Sequence, residues 1–273
     1  MALFIASLNS GSNGNCYYIG NDTEAVLVDA GISCRETERR MKKINLSMQK
    51  VKGIFVSHEH SDHITGVPGL SKKYQIPVYI TEPTLRSGNI PIEEKLVCSF
   101  RAHEEIKIGQ LSIIPFPKFH DASDPYSFVI NGNEINIGVF TDIGHPCKQV
   151  IKYFKQCHAA FLESNYCEDM LENGNYPFFL KKRISSDNGH LSNTQALDLF
   201  LKYRNKNLSH LILSHLSKNN NRVSLVKEIF EEHASNTKII VASRYKETAV
   251  FEINDTQKSK KNKQAAQTQL SLF

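Results

Sequence analysis

Ser57-His58-Glu59-His60-Ser61-Asp62-His63 follows directly on the apolar run Gly53-Ile54-Phe55-Val56. Three histidines and an aspartate fall within this short stretch, and a strand ending at Val56 delivers them to its C-terminal edge. Alternation along an extended turn sets His58 and His60 on one side of a small pocket, from where Asp62 and His63 reach the other. Imidazole nitrogens with a carboxylate oxygen suit Zn²⁺, and Mn²⁺ or Fe²⁺ where carboxylates are numerous. The plain alternatives are a solvated polar loop or histidines packed on a helix face. Four ligand-grade residues this dense argue against both.

Further out, three candidates each follow an apolar strand. His120 stands in Pro117-Lys118-Phe119-His120-Asp121, Asp142 in Thr141-Asp142-Ile143-Gly144, and His215 in Leu213-Ser214-His215-Leu216-Ser217. Singly, each reads as an ordinary strand-end residue. Together with the opening loop, whose H-x-H-x-D-H spacing resembles the metallo-β-lactamase superfamily, they complete that superfamily's set in its own chain order. The resemblance implies an α/β αββα sandwich, two mixed β-sheets flanked by helices. It implies His58, His60 and His120 on one divalent ion, Asp62, His63 and His215 on a second, and Asp142 bridging them. Two ions ~3.5–4 Å apart can hold one hydroxide and lower its pKa towards neutrality.

The superfamily hosts many hydrolases, so the metal loop alone leaves the substrate open. Leu162-Glu163-Ser164-Asn165-Tyr166 and Gly189-His190-Leu191-Ser192-Asn193 narrow it. In the nuclease branch an acidic residue after this strand orients a later histidine that protonates the leaving alkoxide of a phosphodiester. Such help is worth ~10²–10⁴-fold. The branch thus implies His190 as general acid with Glu163 as its orienter, and Asp62 counts with them among the catalytic residues. Ser192, at a helix N-terminus, suits a phosphate. Ser217, Lys218 and Asn219, with Asn220 and Arg222, follow His215 and suit DNA phosphates. Lys181-Lys182-Arg183 reads either as a further backbone contact or as a solvated helix face.

Those segments, with Ser10-Gly11-Ser12-Asn13-Gly14-Asn15-Cys16 and His120-Asp121-Ala122-Ser123-Asp124-Pro125, resemble the WalJ/YycJ family of bacterial metallo-β-lactamase-fold proteins over about residues 3–253. The resemblance implies a 5′→3′ exonuclease on double-stranded DNA, linked to repair, with two Zn²⁺ or Mn²⁺ ions. The span from Asp142 to His215 leaves no room for the inserted domain of β-CASP nucleases, and no Gly/Pro-rich arm of the tRNase Z type is present. The competing class is a small-molecule hydrolase of the same fold, a thioesterase, lactamase or cyclic phosphodiesterase, with no use for Glu163 or His190. A DNA- or clamp-binding adaptor is a third.

Composition is that of an ordinary globular protein: 273 residues, 40% hydrophobic, 22% charged, formal net charge +5. The mild basicity fits a polyanionic partner without requiring one. The six cysteines form no C-x-x-C pair and read as reduced cytosolic thiols. No apolar run approaches a bilayer span, the first nineteen residues read as a strand rather than a signal peptide, and a cytoplasmic protein with no membrane partner is expected.

Hydrophobic patterning predicts strands over 3–8, 16–19, 25–28, 54–56, 78–80, 96–100, 106–108, 111–115, 126–130, 135–140, 159–162, 208–213 and 239–241. Helices are predicted over 35–44, 64–74, 147–154, 177–184, 192–203 and 223–233. Asn131-Gly132-Asn133 marks a hairpin. The loop 9–15 reads either as a phosphate cradle or as a plain turn. The isolated histidines His103, His145, His158, His210 and His233 read as surface or packed residues. The nuclease domain is set at 1–254. Residues 255–273 turn Lys/Gln/Ser-rich and read as a disordered tail. It ends in Gln269-Leu270-Ser271-Leu272-Phe273, which resembles the bacterial sliding-clamp-binding motif: Leu270, Leu272 and Phe273 as apolar anchors, Gln269 fixing register.

Overall fold

A computed structural model describes residues 2–254. The tail, with the proposed clamp motif, lies outside the described residues. The first sheet contains β1 (Leu3–Asn9), β2 (Cys16–Gly20), β3 (Ala25–Val28), β4 (Val51–Phe55), β5 (Val78–Tyr79) and β6 (Val97–Cys98). The second contains β7 (Ile106–Ile108), β8 (Leu111–Pro117), β9 (Tyr126–Gly132), β10 (Ile135–Phe140), β11 (Ala159–Glu163), β12 (His210–Ser214) and β13 (Lys238–Val241). The last strand, β14 (Phe251–Ile253), returns to the first sheet. The orders are β14-β1-β2-β3-β4-β5-β6 and β13-β12-β11-β10-β9-β8-β7. Each sheet is antiparallel up to β3 or β10 and parallel beyond it.

Helices α1 (Cys34–Lys43), α2 (Ser61–Ile64), α3 (Val67–Tyr74) and α4 (Glu82–Gly88) fall within the first half of the chain. They are followed by α5 (Lys148–Phe154), α6 (Glu168–Asn173), α7 (Phe178–Ile184), α8 (Asn193–Tyr203) and α9 (Val223–Glu231). Strand alternation builds the layers. Val26 and Val28 join Ile5, Phe55, Phe128, Ile137 and Phe161 between the sheets. Leu27 faces the other way, with Ile54 and Val56, onto Met41 of α1 and Leu70 of α3. On the far side, Phe140, Leu162 and Leu213 pack on Phe154, Phe200 and Phe230 of α5, α8 and α9. The result is the expected αββα sandwich. Among the described residues no helix is long and apolar enough to cross a membrane.

Several local expectations move. The helix predicted over 64–74 begins only at Val67, as α3, with the short α2 ahead of it, and Gly66 between them packs so close that a Cβ there would lie 2.0 Å from the carbonyl oxygen of Ile32. The hairpin turn falls at Asn133-Glu134, both at positive φ, one residue later than the Asn-Gly-Asn signal suggests. The strand over 96–100 shrinks to two residues. Helices α4 and α6 and strand β14 have no strong local signal, and β14 exists by pairing with β1 across the length of the domain. In the loop 9–15 the amides of Ser10, Gly11, Gly14 and Asn15 all donate within the protein, which leaves the plain turn.

Candidate metal centre

The C-terminal ends of β4, β8, β10, β11 and β12 converge on one edge of the sandwich. There the structure gathers all seven residues picked out from the sequence. His58, His60 and His120 present donor atoms within 4.8 Å of one another, as do Asp62, His63 and His215. Asp142 lies between: Oδ2 is 3.2 Å from His63 Nε2, and Oδ1 is 3.3 Å from His215 Nδ1 and 3.8 Å from His120 Nε2.

Hydrogen bonds fix which nitrogen each ring turns inward. His63 Nδ1–H donates to Asp29 Oδ2 at 2.7 Å, and His120 Nδ1–H to the carbonyl of Gly189 at 3.0 Å. Ser57 Oγ donates to Asp29 Oδ2 and so accepts from His58 Nδ1, both at 2.8 Å. That leaves His58 Nε2 facing His60 Nδ1 at 3.1 Å, two ring nitrogens converging on one point. His120 Nε2, His215 Nε2 and Asp142 Oδ2 are buried and accept or donate no hydrogen bond. Orphaned buried donor atoms are costly unless a ligand takes them, and outer partners on the opposite ring nitrogen are the usual arrangement of metal-ligating histidines. The donor set therefore fits divalent metal.

The electrostatics divide the two groups. Burial holds His58 well below the ordinary imidazole range, and it pulls His120 down to about 3 against the pull of Asp142. Burial opposes charge on His215 too, but Asp142, Asp62 and Glu163 outweigh it and raise the ring to about 10. His63 is raised likewise by Asp142, Asp29 and Asp62. Burial works to raise Asp62, yet His63 and His215 hold it down at about 2. Behind the cluster, buried Lys118 donates from Nζ to the carbonyl of Thr141 at 2.7 Å. Burial lowers its pKa, while Asp142 and the other carboxylates oppose that shift.

Glu163, fully buried at the end of β11, accepts at Oε1 from His190 Nδ1 at 2.8 Å and from His215 Nδ1 at 2.9 Å. Its Oε2 accepts from the amides of Ile143 and Leu191 at 2.8 and 3.1 Å. Burial would raise its carboxyl, but the two imidazoles hold it at about 2. His190 remains partly open to solvent, and its Nδ1 is 3.8 Å from Asp142 Oδ1.

Three of these positions carry backbone strain: Asp29, Asp142 and His215 sit at φ +59°, +54° and +55°. Such conformations cost about 1–3 kcal/mol each and gather where surrounding structure over-determines them.

Other residues fall differently. Ser192 is buried, and its hydroxyl and amide close a capping box with Gln195, so both polar groups are occupied. Ser217, Lys218 and Asn219 lie on the loop after His215, with Lys218 and Asn219 exposed. The histidines at 103, 145, 158, 210 and 233 stay out of the clusters. Sequence reading missed Asp29, Ser57 and Asn15, whose Nδ2 lies 3.1 Å from Asp62 Oδ2 and 3.0 Å from His63 Nε2. Asp29 had a usable signal: like Asp142, it is an acid directly after a buried strand.

Comparison with known proteins places this geometry in a family. The sequence model described as the beta-lactamase superfamily domain matches residues 24–216. The exodeoxyribonuclease YycJ of Bacillus anthracis is 34% identical over 261 residues, covering 94% of this chain and 96% of that protein. The exodeoxyribonuclease WalJ of Streptococcus pneumoniae is 30% identical over 221 residues, 78% of this chain and 81% of its own length. Among solved structures, the metallo-beta-lactamase fold protein YhfI from Bacillus subtilis superposes with a TM-score of 0.72 at 14% identity. It covers 92% of this chain and 100% of that one.

Proposed function

This chain belongs to the metallo-β-lactamase superfamily, in the family of the exodeoxyribonucleases YycJ and WalJ, and from that premise we propose that it is a metal-dependent nuclease that degrades double-stranded DNA from the 5′ end in repair or replication. The observation that carries this reading is His190, held by Glu163 at 2.8 Å beside the histidine–aspartate cluster and still partly open to solvent. A lactam or thioester hydrolase has little need of a separately held imidazole. A phosphodiester does, because its leaving 3′ alkoxide is poor until protonated.

His58, His60 and His120 would hold one ion, and Asp62, His63 and His215 the other, with Asp142 between them. When bound, Zn²⁺ or Mn²⁺ at the two positions supplies an acidified water as nucleophile and positive charge for the expanding phosphorus centre. Glu163 keeps the His190 ring oriented through Nδ1, which leaves Nε2 as the nitrogen that would deliver a proton to the leaving oxygen. Asp62, held as a carboxylate, would keep an acceptor oxygen at the metal-binding edge beside His63 and His215. Ser217, Lys218 and Asn219, on the loop after His215, would contact phosphates flanking the scissile bond. Gln269, Leu270, Leu272 and Phe273 would tether the enzyme to the bacterial sliding clamp, raising its effective concentration at replicating DNA. Deleting residues 269–273 should abolish clamp pull-down and spare nuclease activity.

The deciding experiment incubates metal-loaded protein with 5′-labelled duplex DNA, single-stranded DNA and RNA. Release of labelled mononucleotide from duplex DNA is expected. Inactivity on all three substrates alongside hydrolysis of a thioester would replace this reading with that of a small-molecule hydrolase.

A further inference from the structure

Phe178 and Phe179 are 74% and 72% exposed, side by side at the start of α7. No residue of that helix is buried, so the core explains neither ring. Exposed aromatic pairs of this kind mark interaction sites. The helix also carries Lys181, Lys182 and Arg183 in its last turn, with Lys182 Nζ 5.4 Å above the Phe178 ring. Lys182 has no carboxylate within ion-pair distance among the described residues.

Two links clamp α7 to the site. The carbonyl of Ile184, its last residue, accepts from the amide of His190 at 2.9 Å. Packing is so close there that a Cβ at Gly189 would lie 2.2 Å from the Ile184 carbonyl oxygen. Arg183 pairs with Asp121, whose Oδ1 is 3.3 Å from His120 Nε2. Phe179 stands five residues before Ile184, about 8 Å along the helix axis. The helix that carries the rings is thus tied at its end to the segment of the candidate acid and, through Asp121, to the candidate ligand His120.

We propose that α7 is a platform for unpaired nucleotides at the end of the substrate strand, with Phe178 and Phe179 stacking on bases and Lys182 following the backbone. The inference rests on the nuclease reading and extends it to a binding subsite. Aromatic rings interleaved with uncompensated cations are the chemistry of single-strand recognition. Bases inside a duplex have both faces covered by neighbours, so the occupant is an overhang or a frayed terminus rather than paired DNA.

The test compares wild type with the double variant Phe178→Ala/Phe179→Ala and with Lys182→Gln. Binding is measured by fluorescence anisotropy on duplexes bearing a 5′ overhang whose bases are intact or replaced by abasic residues. The expected result is a Kd at least about 30-fold weaker for the double variant on the intact overhang, because two stacked bases are lost. Wild type should lose a similar factor on the abasic overhang, and the double variant nothing further. Lys182→Gln should reduce the salt slope by about 0.7. Turnover of bis(p-nitrophenyl) phosphate and metal content should not change in any variant. Equal wild-type affinity for both overhangs overturns the platform. So does a parallel fall in bis(p-nitrophenyl) phosphate turnover, or a dimer that the double variant dissociates without altering DNA affinity. Wild type binding no nucleic acid at all would remove the nuclease reading as well, which keeps the two failures apart.

Discussion

Glu163 Oε1 receives the Nδ1 proton of His190 at 2.8 Å, and the same oxygen receives that of His215 at 2.9 Å. One buried carboxylate thus orients both the candidate acid and a candidate metal ligand. Its second oxygen is fixed by two backbone amides, so it has no freedom to serve one ring at the expense of the other.

His190→Ala should lower kcat on DNA by ~10²–10⁴-fold while both metals stay bound. On bis(p-nitrophenyl) phosphate, whose leaving group needs no proton, the loss should nearly vanish. Metal analysis beside the two assays checks this, and loss of an ion would reassign His190 as a ligand.

Glu163→Gln should act at both rings. Chemistry slows as in His190→Ala, and affinity for one of the two ions falls by about 10–100-fold through His215. A competition titration against a chelator separates the effects. Unchanged metal affinity would mean that the contact with His215 does not matter.

Asp29→Asn touches no proposed ligand atom, yet it removes the charge that holds His63 Nδ1–H and Ser57. An about 10–100-fold loss of metal affinity is expected, with little change in DNA affinity. The same chelator titration reads it.

Metal binding should release about two protons at neutral pH, because His63 and His215 are held protonated in the metal-free protein and must present lone pairs to ligate. Since the folded pKa of His215 is raised from 6.5 to about 10, the stabilisation it gives the metal-free fold is complete below 6.5 and is lost as pH rises through about 10. Metal affinity therefore increases with pH across that window. Calorimetric titration in buffers of different ionisation enthalpy counts the protons, and a pH-independent affinity would contradict the assignment.

Gly31→Ala should unfold or strongly destabilise the protein, because the new methyl would lie 1.7 Å from the carbonyl oxygen of Asp62. Backbone atoms cannot step aside as side chains do, so the cost should reach at least about 3 kcal/mol. Thermal unfolding of the metal-free variant measures it without interference from ligand binding.

By itself the sequence determined the strands, their sandwich, and the residues that end them. Alternation and apolar runs report burial locally, and a His or Asp placed just past a buried strand is carried to that strand's C-terminal end. Singly, His120, Asp142 and His215 read as ordinary strand-end residues; with His58 and His60 they became legible as one set through the resemblance of their order to that of the metallo-β-lactamase superfamily. Tertiary structure alone decided what holds them. The contacts of Asp29 with His63, Glu163 with His215, and the Gly189 carbonyl with His120 span 34, 52 and 69 residues, and no local pattern encodes such distances. It also decided that β14 completes the first sheet. It left the two phenylalanines of α7 outside every core. Hydrophobic pattern predicts that a ring should be covered, but only packing shows which ring is not.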